Sequence, residues 1–302
     1  MVQVSAQSFP RANKKKSVVV EPAEGNVGSA VADALRKRAK SFATNFQLCQ
    51  QKYSEKSIHD LRVSLRRINA ILTILSSVLN VQKAKKLKKK LSKLLKGFSD
   101  LRDLQVQILS VSSLLPHFGK LEKFQNHLLE RERKMIKRIS KDMRKSSVDA
   151  ELKVLKALSG DLDRPSHDIS GQKKLKAQLY NHVESRFARV MVLTQMVDPE
   201  KIETIHRVRL AFKKYRYAVE ALNNIFSFSK STLKEMHDFQ TIMGEIHDLD
   251  VLQGTIDEFL QGNERQARVM SPVLEKIAQT EKKQINRFLR QAKMLDKFRI
   301  IL

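Results

Sequence analysis

"SIHDLRVSLRRINAIL" (Ser57–Leu72) decides how the chain folds, because a near copy, "TIHRVRLAFKKYRYAV" (Thr204–Val219), returns in its second half. In the first stretch Ile58, Leu61, Leu65, Ile68 and Leu72 recur at helical spacing and form one apolar stripe. His59, Arg62, Arg66, Asn69 and Thr73 form a second stripe beside it. The copy keeps both. Ile205, Val208, Phe212, Tyr215, Val219 and Leu222 are apolar, and His206, Arg209, Lys213, Arg216 and Glu220 run alongside. Arg67 and Lys214 also correspond, and point further towards solvent. Such a line of donors rises ~6 Å per four residues on a rigid backbone. Guanidinium groups grip phosphate oxygens as a fork and lysine acts as a point charge. A single basic face is a common solvated surface, but an unconstrained surface need not repeat its residue order.

Working outward, each copy is followed by an acidic motif. "SDLRDLQV" (Ser99–Val106) pairs with "GEIHDLDV" (Gly244–Val251), so that Asp103 matches Asp248. The offset equals that of His59 and His206 to within two residues. This is the pattern of an internally duplicated helical unit. Arg102, Asp103, Asp248 and Asp250 are expected late in long helices, as ion pairs that hold the basic rotamers. A catalytic carboxylate is the alternative. Between the motifs, "VQKAKKLKKKLSKLLK" (Val81–Lys96) contains no acid. Lys83, Lys86, Lys90 and Lys93 are assigned to one flank of its apolar stripe, and Lys85, Lys89 and Lys96 to the other. The matching region of the second half offers Lys230, Lys234 and His237, interrupted by Glu235 and Asp238.

The rest of the chain reads as helices. Residues 1–26, with Pro10 and Pro22, have no helical period and are read as a flexible tail. Val31 to Cys49 carries one stripe. The Ser57 helix is expected to be capped by Ser57 with Asp60. A single long helix is expected from Val81 towards Pro116, then one through Leu121 to Ile139 and a shorter one through Leu158. "GDLDRPSHDISG" (Gly160–Gly171) breaks the pattern. Helices are then expected over 172–197, from an Asp198 cap with Pro199 at the first position, after Ser231, and over 264–297. No strand-like alternation appears. The fold expected is all-α, with two four-helix bundles, about 27–159 and 172–302.

The 302 residues carry 58 Lys and Arg against 32 Asp and Glu, a formal charge of +26. A compact fold so charged repels itself and calls for an anionic partner. Cys49 is the only cysteine, so no internal disulfide is possible. No stretch approaches the ~18 apolar residues of a membrane span, and "KKKSVVVEPAEG" (Lys14–Gly25) is too short in apolar residues for a signal peptide. A cytoplasmic location is expected.

The quoted motifs, in this order, resemble the CHAD family, the "conserved histidine α-helical domain", over about Gly28 to Leu302. The resemblance implies two four-helix bundles related by a pseudo-twofold axis, a basic surface or pore that binds inorganic polyphosphate, and association with polyphosphate granules. Its residues carry over as His59, Arg62, Arg66 and Arg67, then His206, Arg209, Lys213, Lys214 and Arg216, with Lys83, Lys86, Lys90, Lys93 and Lys234 as further candidates. Asn69 and Gln105 depart from the family's basic and acidic choices. "ERERK" (Glu130–Lys134) fits the E-x-E-x-K string of triphosphatase tunnel domains fused to some relatives, but it sits on an expected helix and is a coincidence.

The function expected is polyphosphate binding without catalysis, with no metal and no cofactor. No nucleophile–base pair, phosphate loop or nucleotide fingerprint is present. Nucleic acid is the alternative partner, though Phe42, Phe46, Phe98, Phe124 and Phe212 occupy core positions rather than stacking platforms. A metal-binding protein, a polyphosphate hydrolase and an anionic-membrane binder remain as further readings. No His-x-x-x-His pair exists to favour the metal.

Overall fold

The structure, a computed structural model, describes residues 18–19, 26–144, 146–163 and 169–301. It is all-α apart from one parallel pair of two-residue strands, Val18–Val19 (β1) against Ile300–Ile301 (β2). The rest of the expected tail and residues 164–168 of the expected break lie outside the described residues.

Eleven α-helices follow in the described chain: α1 Val27–Gln51, α2 Glu55–Ser77, α3 Gln82–Gly97, α4 Ser99–Leu114, α5 Glu122–Arg144, α6 Asp149–Leu162, α7 Ile169–Gln195, α8 Ile202–Ala221, the single turn α9 Asn223–Phe226, α10 Lys230–Leu260 and α11 Glu264–Ala292. Several boundaries differ from the sequence reading, each for a local reason. Ser54, not Ser57, caps α2. The Ser54 side chain accepts from the Ser57 amide at 3.2 Å and Ser57 Oγ accepts from the Ser54 amide at 3.0 Å, a reciprocal box. The expected helix from Val81 is broken at Gly97–Phe98. Phe98 turns inward to 2% exposure, and Ser99 Oγ donates to the Leu95 carbonyl at 3.1 Å, a carbonyl freed by the break. Arg102 and Asp103 therefore stand near the start of α4, not late in a long helix. Asp198 forms a turn by accepting from the Glu200 amide at 3.1 Å, so α8 opens after Lys201. Ser229 caps α10 in place of Ser231, accepting from the Thr232 amide at 3.0 Å. Gly160 lies inside α6.

The buried side chains form two cores, and they do not follow the two halves of the sequence. The larger joins α1, α2, α3, α6, α7, α8 and the first half of α10, with Phe42, Leu65, Phe187, Phe212 and Phe239 at its centre. The smaller joins Leu104 and Val111 of α4, Phe124 and Leu128 of α5, Leu252 and Ile256 of α10, and Val273 and Ile277 of α11. Leu101 belongs to the first and Leu104 to the second, as do Ile246 and Leu252. Asp103 and Asp248 thus sit on the seam between two apolar cores, where a polar side chain can turn away from both. Helices α2 and α8 pack directly on each other, which brings their donor stripes to that seam.

Candidate anion-binding site

Arg62 is the deepest charge of the seam, at 5% exposure. One of its Nη atoms donates to Ser99 Oγ at 3.4 Å and lies 3.9 Å from Asp103 Oδ1, while Nε is buried without a partner. Burial, then the neighbouring Arg66, pulls its pKa down to about 10, which leaves it charged at neutral pH. Arg209 from α8 stands in the matching place beside Asp248, and burial lowers its pKa as well. Burial in turn raises the Asp248 carboxyl, against the pull of Arg209. Lys213 feels Arg66, Arg209 and Arg62 together. Burial and then these three charges bring it down to about 7, with Asp103 pulling the other way. Two helices therefore place four cationic side chains within each other's field, against Asp103 and Asp248 on α4 and α10. This arrangement lacks negative charge, and low-dielectric surroundings make the shortage costly.

The histidines flank the cluster. His59 is exposed at the start of α2, near Arg102, and is lowered mainly by burial of its ring and then by that arginine. Arg102 itself is held by Glu55. The His206 and His247 rings meet at a tilt of 53° with centroids 4.7 Å apart. Burial, then Arg209 and His206, takes His247 to about 4, so it is neutral at pH 7. Among the described residues Asp250 forms no ion pair. Burial and Glu203 raise its carboxyl, with His206 the opposing influence.

The cluster opens into a cavity of about 420 Å³ between α2, α3, α7 and α8. Arg66, Lys88, Arg186, Lys213 and Lys214 line it, with Tyr217 and Leu210, and no Asp or Glu among the described residues does. A second hollow of about 440 Å³ continues from Lys88 to Lys85, Lys86 and Lys89. A third of about 230 Å³ continues from Arg186 and Lys214 to Arg189 and Arg207. The basic surface is a track across three hollows rather than a patch.

Lys88, His182 and Arg186 were missed by the sequence reading. Arg186 Nε donates to His182 Nε2 at 2.9 Å, and burial, then Arg186, takes this histidine to about 4. The signal was present: each of the three stands beside a core residue, Leu87, Val183 or Phe187, as Arg62 stands beside Leu61. Other candidates are placed elsewhere. Arg67 Nε lies 3.4 Å from Glu220, and buried Arg216 lies 3.2 Å from the same carboxylate while bonding Gln240 at 2.9 Å. Both are structural ion pairs, and Arg216 also lies over the Tyr217 ring. Lys83 is exposed and lines none of the three hollows. Lys234 is exposed and paired with Asp238 at 2.7 Å. Lys86 lines the track, but Lys90 and Lys93 turn to a different face of α3, where Lys90 pairs with Glu151. The expected flanks of α3 hold in separating Lys90 and Lys93 from Lys85 and Lys89 and fail at Lys86, which shares one hollow with Lys85, Lys88 and Lys89.

No helix of the described residues is long and apolar enough to cross a membrane. The crystal structure of the CHAD domain from the plant Ricinus communis is similar, with a TM-score of 0.67 over 94% of this chain and 97% of that one at 18% identity. PptA from Streptomyces chartreusis is similar at a TM-score of 0.59 over 91% of this chain and 99% of that one, at 15% identity. These identities establish the fold alone. No curated protein matches the sequence. A family model, the CHAD domain, matches residues 33–257. With most of its length matched, and with the histidine–arginine helices and acidic motifs placed as described, the chain belongs to the CHAD domain family.

Proposed function

We propose that the chain binds inorganic polyphosphate in the basic cavity and along its two extensions, without turning it over. The observation that carries this reading is the cavity lined by Arg66, Lys88, Arg186, Lys213 and Lys214 and by no carboxylate, with Arg62 and Arg209 in the field of Lys213 behind it. A solvated basic face spreads its charges, whereas this one crowds and half-buries them, and an extended polyanion supplies the missing charge. The family resemblance names the same ligand. Asp103 and Asp248 support binding rather than turnover, because each lies in the field of an arginine, Asp103 at 3.9 Å from Arg62 and Asp248 near Arg209. Nucleic acid gains no support. Among the described residues the exposed large apolar side chains are Leu48, Leu109, Val192, Met196, Leu210 and Met294, none of them aromatic, and Tyr217, which lines the basic cavity, is buried, so bases find little to stack on there. Association with polyphosphate granules follows as the cellular form of this binding.

The test is calorimetric titration with polyphosphate of defined length, with orthophosphate and duplex DNA as controls and phosphate release followed in parallel. Saturable binding that weakens steeply with salt is expected, since several cationic contacts each release counterions. Polyphosphate should displace DNA and not the reverse. Displacement of polyphosphate by DNA, or phosphate release that scales with protein, overturns the reading.

A further inference from the structure

A second cavity, of about 510 Å³, lies on another face of α3 and shares no residue with the basic one. Its walls are mostly apolar, with Phe46 of α1, Leu91 and Leu94 of α3, Phe98 at the helix break, and Ile139 and Met143 of α5, and Ser146 and Ser147 border it between α5 and α6. One buried acid reaches it. Glu151, in the first turn of α6, is 5% exposed, and its Oε1 takes the Lys90 ammonium at 2.5 Å. Its Oε2 is buried and has no hydrogen-bond partner. A buried carboxylate oxygen without a donor is unusual, because the lost hydration is not replaced. Lys90, with 67% of its side chain exposed, can swing away from the carboxylate, and exposed Lys93 stands at the same rim. The volume falls in the ordinary range of small-molecule sites, which combine apolar walls with a few placed polar groups.

We propose that this cavity binds a small amphipathic zwitterion, an apolar α-amino acid being the simplest. The ligand's ammonium donates to Glu151 Oε2. Its carboxylate is taken by Lys90 and Lys93, and its side chain lies against Leu91, Leu94 and Phe98. The chemistry selects the zwitterion. An amine alone meets two lysines with nothing to offer them. A carboxylate alone leaves Oε2 without a donor and faces Glu151. A molecule carrying both groups on one apolar body offers a donor to Glu151 and an acceptor to the two lysines. The inference does not rest on the polyphosphate reading, since the two cavities have separate linings.

The experiment titrates the whole chain with L-phenylalanine and L-leucine, by calorimetry and by protein NMR shifts, beside the half-molecules phenethylamine and hydrocinnamate. Saturable binding of the amino acids is expected, with each half-molecule weaker by about tenfold or more, a difference of ~1.4 kcal/mol. Glu151→Gln should weaken the amino acids by a similar factor. Leu94→Trp fills the cavity, so it should abolish their binding while leaving the polyphosphate titration unchanged. It also keeps the test open should Glu151→Gln misfold. The proposal is overturned by absence of saturation with either amino acid up to about 10 mM. Half-molecules that bind as tightly as the amino acids, or Leu94→Trp binding them as the wild type does, overturn it equally.

Discussion

The two sequence copies differ at two matched positions, where the first carries permanent cations and the second titratable groups. Arg66 of α2 corresponds to Lys213 of α8, and Arg102 of α4 corresponds to His247 of α10. At the first pair of positions the charges are guanidinium groups, which stay protonated at any physiological pH. At the second pair, burial and then the neighbouring cations have pushed Lys213 to about 7 and His247 to about 4. Arg62 and Arg209, which lie in the field of the seam acids, are arginine in both halves. The comparison teaches that the arginines nearest the carboxylates are fixed charges. The outer positions of the second half hold fewer protons when the site is empty and can take them up when an anion arrives.

The largest expected effect comes from removing one outer cation from each half. Arg66→Ala with Lys213→Ala should cost polyphosphate affinity ~1–3 kcal/mol more than Lys83→Ala with Lys96→Ala, although each pair deletes two positions of like formal charge. Titration calorimetry at fixed salt, with helical content checked by circular dichroism, makes the measurement. Equal losses would mean that net charge alone binds, and the difference between the half-sites would carry no functional weight.

A second effect separates the halves by pH. In the empty site Lys213 loses its proton near pH 7, and a bound polyanion pulls its pKa back up. Binding therefore takes up a proton above about pH 7, and log affinity should fall with rising pH by up to about one unit per pH unit in that window. Lys213→Arg, which makes the second half resemble the first, should flatten the profile between pH 7 and 9. A wild-type profile that is already flat would break the comparison.

The same lysine should govern the stability of the free protein. Its folded pKa lies below the ordinary lysine value of 10.5, so between about 7 and 10.5 the unfolded chain holds more protons. Stability of the wild type should then rise with pH across this window. Lys213→Met removes a half-buried charge among three arginines. It should raise stability at pH 6.5 by ~1–3 kcal/mol while weakening polyphosphate binding. Urea denaturation at pH 6.5 and pH 9 reads both signs. The smallest effect is expected at Lys234, whose ammonium is exposed and tied to Asp238. Lys234→Ala should leave both the denaturation midpoint and the polyphosphate titration unchanged.

Much of this was legible in the residue order. The apolar stripes of α2 and α8 carry the core as read, since Ile58, Leu61, Leu65, Val208 and Phe212 are all at most 1% exposed. The donor stripes beside them were legible for the same reason: a residue next to a core position is held wherever the helix goes. What was not legible depends on neighbours in space. Arg67 and Arg216 look equivalent to their stripe mates until Glu220 is seen between them. Lys88, Lys90 and Lys93 differ by less than two helical turns, and only the packing of α3 on α2 and α6 decides which hollow each one meets. Helix ends failed where a side chain made a local bond that competed with the helix, as at Asp198 and Ser54. The break at Phe98 needed a core for the ring to enter.

The smaller core has a consequence for how the chain becomes folded. Its apolar residues arrive in two instalments, Leu104 to Leu128 early and Leu252 to Ile277 late. While the chain is being synthesised, helices α4 and α5 can form a hairpin, but that hairpin's inner face has no cover until α10 and α11 emerge. The half-made molecule therefore presents Val111, Phe124 and Leu128 to its surroundings, a surface that invites premature association. Completion of that core ties α4 and α5 to α10 and α11, so neither half of the sequence can finish folding alone, and unfolding should proceed as one cooperative transition.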